Sequence, residues 1–260
     1  MRITTITATV ALSAAAALPA AGGEAWDDIA RTLWGDRAMI DSDVVSLEAP
    51  TRAHDAALVP VTMRLDLPED DSRRVERVTL VVDENPAPVA GTFTFGTDAD
   101  ITTIETRVRV NAYSDLHAVA ELSDGSLHVT DVFVKAAGGC SAPMLKDPEE
   151  AMASLGKMRL RDLGDGNPEQ GVAQLMIRHP NNSGFQRDPI TLYYIPPHFV
   201  SDVEVRQGDD LLFTMEGGIS LSEDPSFRFD YRPNGEAIAV EVRDTEDLAF
   251  SEVWPVAAGG

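Results

Sequence analysis

The sequence predicts an all-β protein built from two immunoglobulin-like β-sandwich domains that are joined by a linker carrying the only cysteine. Most of the chain consists of short runs rich in β-branched and aromatic residues, bounded by glycine, proline and aspartate. Turn signals recur roughly every 8 to 12 residues, a spacing typical of sandwiches and barrels. A stretch of small residues near the middle divides the runs into two groups. The antibody pattern of two cysteines around a tryptophan is absent, so the likeness is one of architecture only.

The charge balance excludes some classes of partner. The 260 residues contain 43 acidic and 21 basic side chains, which gives a formal net charge of -22 at neutral pH. Such a surface repels phosphate backbones and anionic lipid headgroups, so we expect no binding to nucleic acid or membranes. A basic partner protein is favoured instead. The hydrophobic content of 43% is sufficient for a packed core.

Residues 1–22 are typical of a secretory signal peptide. Arg2 is followed by an apolar or small run that ends at Leu18, and Pro19-Ala20-Ala21 supplies a cleavage zone of small residues. Threonines and alanines make the run too weakly apolar for a membrane anchor, and no stop-transfer pattern follows it. We therefore expect an exported protein, in which one unpaired cysteine is unusual.

The first domain, residues 24–140, is predicted to begin with a helix and to continue as strands. Apolar side chains share one helical face over residues 24–33, and Gly35 ends the helix. Asp124-Gly125 lies between two strand-like runs and predicts a hairpin turn. The predicted strands lie at residues 59–67, 75–82, 89–95, 101–110, 119–122 and 127–134.

The break between the domains falls in a stretch of small residues. Ala136-Ala-Gly-Gly-Cys-Ser-Ala-Pro143 is typical of an exposed, mobile connector. We assign residues 141–155 to a linker, in which Asp147 is the expected N-cap of a short helix starting at Pro148.

The second domain, residues 156–256, is again predicted as strands only. Asn234-Gly235 predicts a second hairpin between the runs at residues 227–231 and 237–242. The predicted strands lie at residues 157–163, 172–179, 193–195, 200–207, 210–216, 227–231, 237–243 and 252–256.

Cys140 is the sharpest candidate for a functional residue. Gly138 and Gly139 remove side-chain bulk beside it, which lets the sulfur enter a narrow pocket and the backbone bend freely. Lysines and carboxylates lie about equally near along the chain, so the sequence does not indicate an activated thiolate. The alternative is an idle small residue in a linker. We favour a functional thiol because exposed free thiols are usually avoided.

No other constellation indicates chemistry. The five histidines show no metal-ligand spacing, and His179 and His198 are interpreted as turn residues beside prolines. The sequence contains no glycine-rich phosphate loop and no dinucleotide fingerprint. We therefore predict no cofactor, no metal and no catalytic residue.

The residues around the cysteine and in the second half resemble a known family. A first sandwich ending in Gly138-Gly139-Cys140 resembles SoxY, the carrier subunit of sulfur oxidation, and residues 34–37 and 44–60 also fit that subunit. The second half resembles its partner SoxZ, with the family's motifs in order at Ile177-Arg-His-Pro180, Gly184, Arg187-Asp188, Ile195-Pro196, His198-Phe199 and Ser222-Glu-Asp-Pro225 with Phe227. The likeness is nearest to fused SoxYZ-like carriers associated with quinoprotein dehydrogenases.

The resemblance implies a periplasmic, non-catalytic carrier that holds a sulfur-containing intermediate on Cys140. Its implied partners are periplasmic redox enzymes: a quinoprotein dehydrogenase, c-type cytochromes or Sox-type enzymes. Fusion implies that the two sandwiches pack against each other within one chain. The family's arm is a free tail ending in Gly-Gly-Cys-Gly-Gly, whereas Ser141 and Ala142 stand here and the chain continues. A binding or assembly module in which Cys140 is dispensable is the alternative.

Overall fold

The computed structural model describes residues 23–68, 70–144, 148–164, 167 and 169–255. The predicted signal peptide and the predicted N-cap Asp147 lie outside these residues. Within these ranges two α-helices are present, α1 at Gly23–Trp34 and α2 at Pro148–Ala153. Helix α1 confirms the prediction for residues 24–33, and it ends where the Gly35 N–H donates to the Arg31 carbonyl (2.9 Å). No helix among the described residues is long and apolar enough to cross a membrane.

The N-terminal half of the structure contributes eight strands. They are β1 Met39–Asp41, β2 Val45–Glu48, β3 Val59–Leu65, β4 Val75–Val82, β5 Val89–Phe95, β6 Thr103–Val108, β7 Ser114–Leu122 and β8 Leu127–Val134. The C-terminal half contributes seven: β9 Met158–Asp162, β10 Gly171–Ile177, β11 Val200–Gln207, β12 Asp210–Gly217, β13 Ser226–Tyr231, β14 Ile238–Asp244 and β15 Ala249–Trp254. The all-β class is confirmed.

The strands form two sheets, and each sheet runs through both halves of the chain. The nine-stranded sheet has the order β1-β8-β7-β4-β5-β12-β11-β14-β15, and the six-stranded sheet has the order β2-β3-β6-β13-β10-β9. The halves meet where β5 pairs with β12, with Phe95 opposite Phe213, and where β6 pairs with β13. The two halves therefore share their sheets and do not stand as separate bodies on a tether.

One hydrophobic core lies between the two sheets. It contains buried side chains from both halves, and aromatic rings link them. The ring centroid of Phe93 lies 6.0 Å from that of Phe213 and 5.9 Å from that of Phe227, and Phe213 lies 5.1 Å from Phe229. Because burial of these large side chains needs both halves, we expect the core to unfold as one unit.

Most predicted strands are present, but one predicted hairpin and one predicted strand are wrong. The Asp124-Gly125 hairpin joins β7 and β8 as predicted. The Asn234-Gly235 turn is not a hairpin, because β13 before it belongs to the six-stranded sheet and β14 after it to the nine-stranded one. Residues 193–195 form only an isolated bridge at Tyr194, not a strand. Local turn chemistry fixes the reversal of the chain but not the sheet in which the next strand pairs.

Candidate functional site

Cys140 lies in a single 3₁₀ turn, Gly139–Ser141, that follows the last strand of the N-terminal half. Gly138 precedes this turn with a left-handed backbone (φ 80°) that residues with a Cβ rarely adopt. The Gly138 N–H donates to the Asn111 carbonyl (2.8 Å), and the Gly139 N–H donates to the Val110 carbonyl (3.0 Å). The segment that carries the cysteine is thus bonded to the chain just beyond β6.

Gly139 is needed for close approach to its neighbours. A Cβ at this position would lie 2.1 Å from the Ala56 carbonyl oxygen and 2.7 Å from the Val110 nitrogen, distances that real side chains do not reach. Any larger residue would push the turn away from the body. Gly138 and Gly139, predicted as sources of arm flexibility, therefore fit the turn closely against the protein in this structure.

The cysteine is buried, which corrects the predicted exposed and mobile connector. The exposed fraction of Cys140 is 0%, and Ala136 and Gly139 are buried as well. Burial raises the pKa of the Cys140 thiol to about 11, and the nearby Arg109 guanidinium offsets only part of that shift. The prediction followed from the glycine-rich composition. Composition does not reveal a pocket that long-range contacts create.

Arg109 is the cation beside the thiol, and it is itself only 1% exposed. Its guanidinium donates to the Gly139 carbonyl (3.1 Å) and to the Asn181 carbonyl (3.1 Å), so it connects the cysteine turn to the C-terminal half. Burial lowers the pKa of Arg109, while the charges of Cys140 and Glu223 raise it. Within the described residues its Nε atom has no hydrogen-bond partner.

The C-terminal half also contacts the cysteine directly. The hydroxyl of Ser183 donates a short hydrogen bond to the backbone carbonyl of Cys140. Ser183 is buried, and its own N–H donates to the Gln186 side-chain oxygen (2.9 Å). Asn181 is buried and adopts a positive φ of 42° in the same loop. The loop of residues 179–183 thus covers the cysteine turn.

A buried triad of His179, His198 and Asp244 supports that loop. The Nε2 atoms of His179 and His198 lie 3.4 Å and 2.8 Å from the same carboxylate oxygen of Asp244. The Asn181 N–H donates to Nδ1 of His179 (3.0 Å). Burial and the neighbouring His198 lower the pKa of His179 to about 4, so His179 is neutral near pH 7. The sequence analysis interpreted His179 and His198 as turn residues. The structure shows in addition that both rings contact the carboxylate of Asp244.

The triad brings together three metal-ligating groups whose ligand atoms lie within 4.8 Å of one another. The hydrogen bonding of His179 argues against a metal there. Its Nδ1 accepts the Asn181 N–H, so the ring proton of the neutral imidazole lies on Nε2 and is directed at Asp244. A metal on Nε2 would require an imidazolate, whereas metal-bound histidines normally donate their other N–H. The triad fits a hydrogen-bonding role better than metal ligation.

Sequence reasoning missed Arg109, Ser183 and Asn181. Arg109 stands in the alternating run Arg107-Val108-Arg109-Val110, a pattern that predicts an exposed side chain, so nothing local indicates its burial. Ser183 likewise has no local signal, because its partner Cys140 is 43 residues away along the chain. The site therefore consists of one predicted residue, Cys140, and of the residues that cover it, Arg109, Asn181 and Ser183, which only the tertiary structure brings together.

Family models match both halves of the chain. The model described as "Sulfur oxidation protein SoxY" matches residues 30–140, and the one described as "Sulphur oxidation protein SoxZ" matches residues 166–255. No curated protein matches the chain at a significant level.

Solved structures give weaker likenesses. The sulfur carrier protein SoxY from Chlorobium limicola f thiosulfatophilum is 20% identical, with a TM-score of 0.36, over 44% of this chain and 94% of its own. A superoxide reductase (neelaredoxin) from Ignicoccus hospitalis is 13% identical, with a TM-score of 0.32, over 35% of this chain and 78% of its own. A beta-glycosidase from Bacteroides vulgatus is 10% identical, with a TM-score of 0.25, over 87% of this chain and 26% of its own.

The fold and the site define a two-part β-sandwich protein whose single cysteine lies at the junction of its halves. The family matches together cover most of the chain. The chain belongs to the SoxYZ-like family, with its SoxY and SoxZ parts fused in that order. This membership supports a carrier-like role in sulfur oxidation.

Proposed function

We propose that the protein is a non-catalytic periplasmic carrier that holds a sulfur-containing group covalently on Cys140 and presents it to redox enzymes. The observation that carries the proposal is the single cysteine at the end of the SoxY match, flanked by Gly138 and Gly139. The division into a signal peptide (1–22), a SoxY-like part (24–140), a linker (141–155) and a SoxZ-like part (156–256) belongs to the same proposal. A quinoprotein dehydrogenase system, its c-type cytochromes or Sox-type enzymes are the proposed partners.

The loading step needs an oxidant. Joining the Cys140 sulfur to a sulfide-level sulfur atom of the carried group forms an S–S bond, releases the thiol proton and removes two electrons from the two sulfur atoms. A c-type cytochrome partner would accept those electrons one at a time. The carrier contributes the thiol, whose sulfur is oxidised together with that of the carried group, and the surface that the partner binds.

Loading also requires Cys140 to leave its pocket. Four hydrogen bonds hold the turn: two from the backbone N–H groups of Gly138 and Gly139, one from Arg109 to the Gly139 carbonyl, and one from Ser183 to the Cys140 carbonyl. At about 0.5–1.5 kcal/mol each, they favour the closed turn by a few kcal/mol. We propose that partner binding supplies this difference and swings the turn outward as a loop fixed at both ends.

The burial of Cys140 also favours a second candidate. A buried thiol with a pKa of about 11 is unreactive at neutral pH, as expected if the protein is a binding or assembly module in which Cys140 is dispensable. In that case the sandwich surfaces would contact a quinoprotein dehydrogenase or its cytochrome without covalent cargo.

Two measurements separate the candidates. Intact mass spectrometry of the protein from its own cells, before and after a thiol reductant, should show a removable mass on Cys140 whose size identifies the cargo. A Cys140→Ser variant should abolish the growth or electron transfer that depends on the protein, with Ser201→Ala as the control. Full activity of the Cys140→Ser variant would refute the carrier proposal and support the binding module.

A further inference from the structure

The outer face of the six-stranded sheet carries an unusual concentration of positive charge for a chain with a net charge of -22. A groove of about 430 Å³ on this face is lined by five cations, Arg107, Lys157, Arg159, Arg161 and Arg178. Two carboxylates, from Glu223 and Asp224, line it as well, which leaves the lining with a net charge of +3. We call this feature the cationic groove.

The edge strand β9 places two of the cations. Met158 and Leu160 pack against the core, so the alternate residues Arg159 and Arg161 project from the opposite face of the sheet. Their partners on β10 are Met176 and Gln174, neither of which carries a charge. The two guanidinium groups therefore stand on one face with no opposite charge beside them on the neighbouring strand.

The cations of the groove are only partly neutralised by the protein. Arg178 pairs with the Asp224 carboxylate (2.5 Å), and Arg107 donates to the Asp224 backbone carbonyl (2.9 Å). Lys157, Arg159 and Arg161 form no ion pair with any described residue. The Nε atom of Arg107 is buried without a partner within the same part of the chain. Like charges that line one groove repel one another, and a bound anion would relieve the repulsion.

The floor of the groove is apolar. Leu58 and Met176 line it beside the cations, while Met158 and Ile177 border it from the core side of the sheet. Arginine recognises carboxylate, sulfonate, sulfate and phosphate groups through paired N–H donors, while apolar side chains bind the body of an organic molecule. The volume lies in the range of small-molecule sites, about 300–1,000 Å³.

We propose that the cationic groove binds a small organic anion that carries at least two negative charges on an apolar body. The cations at Lys157, Arg159 and Arg161 contact its acidic groups, and Met176 contacts its body. This site is additional to the proposed attachment of a group to Cys140, and it uses neither the thiol nor the loop that covers it.

Calorimetric titration with naphthalene-1,5-disulfonate at low ionic strength tests the proposal. The full chain carries Cys140→Ser throughout, so that the result does not depend on the carrier function. We expect binding with a Kd below about 1 mM, and the double variant Arg159→Gln/Arg161→Gln should weaken it at least about tenfold through the loss of two charge-assisted contacts. The variant Arg206→Gln/Arg243→Gln, which removes the same charge from the nine-stranded sheet, should bind like the parent.

Two outcomes would overturn the proposal. If the parent does not bind the probe, the proposed site does not exist. The cations of β9 would then serve only to keep an exposed sheet edge from pairing with another chain. Equal weakening in the two double variants would mean that the probe responds only to net charge. Circular dichroism of both variants should match the parent, since all four arginines lie on outer faces.

Discussion

The hydroxyl of Ser183 donates a hydrogen bond to the backbone carbonyl of Cys140. The SoxZ part of the chain therefore restrains the turn that carries the cysteine of the SoxY part. Arg109 makes a second connection between the two parts, because its guanidinium donates hydrogen bonds to the carbonyls of Gly139 and Asn181. The structure therefore shows a closed state of the cysteine turn. A carrier function requires an open state, and the predictions below measure how the two are balanced.

The thiol should be unreactive in the folded protein near neutral pH. Burial raises its pKa to about 11 from the ordinary value of 9.0, so at about pH 8 the thiolate fraction falls about 100-fold. Iodoacetamide should alkylate Cys140 at least that much more slowly than it does in the same protein unfolded in urea. A folded-state rate equal to the unfolded one would show that the turn is open in solution.

Ser183→Ala should release the turn in part. The loss of one hydrogen bond is worth about 1 kcal/mol, so the population of the open turn, and with it the alkylation rate, should rise about fivefold. Ser201→Ala is the matched control, because the Ser201 hydroxyl donates to the Arg243 carbonyl and makes no hydrogen bond to the cysteine turn. Unchanged alkylation in Ser183→Ala would contradict the view that the SoxZ part restrains Cys140.

Gly139→Ala should force the turn away from the body. Its added methyl would lie 2.1 Å from the Ala56 carbonyl oxygen, so we expect a loss of about 1–3 kcal/mol in the free energy of unfolding, or an opened turn with faster alkylation. Gly91→Ala serves as the control, since its nearest new contact is an ordinary 3.5 Å. Urea titration together with alkylation separates global from local effects. A variant as stable and as closed as the parent would contradict the predicted clash.

Stability should fall as the pH drops below about 6.5 because of His179. Burial lowers the pKa of His179 in the folded protein to about 4. Between pH 6.5 and 4 the unfolded chain therefore binds a proton on this residue that the folded chain does not bind. The folded state loses stability over this pH range as a result. The loss should reach about 2–3 kcal/mol near pH 4. Urea titrations of the parent and of His179→Gln should show a flatter pH dependence in the variant. Parallel curves would mean that His179 does not titrate in this way.

Strand positions followed well from the sequence. The runs at residues 75–82 and 89–95 correspond to β4 and β5, because alternation and β-branched content act over a few residues. The Asn234-Gly235 turn was assigned to a hairpin but joins two different sheets. Two strands without a strong pattern were not predicted: β1, which pairs in parallel with β8, and β2, which pairs with β3. They contain only three and four residues, which is too short a run for a periodic pattern to identify.

The sequence by itself determined the class of fold, the acidic surface and the presence of a single cysteine, since these follow from composition, periodicity and the count of a residue type. Only the tertiary structure decided that the halves share two sheets and that Cys140 is buried. The sharing rests on the pairing of β5 with β12, and the burial on Ser183 and Arg109. These contacts join residues far apart in the chain, and a glycine-rich segment has the same local composition whether it is covered or free.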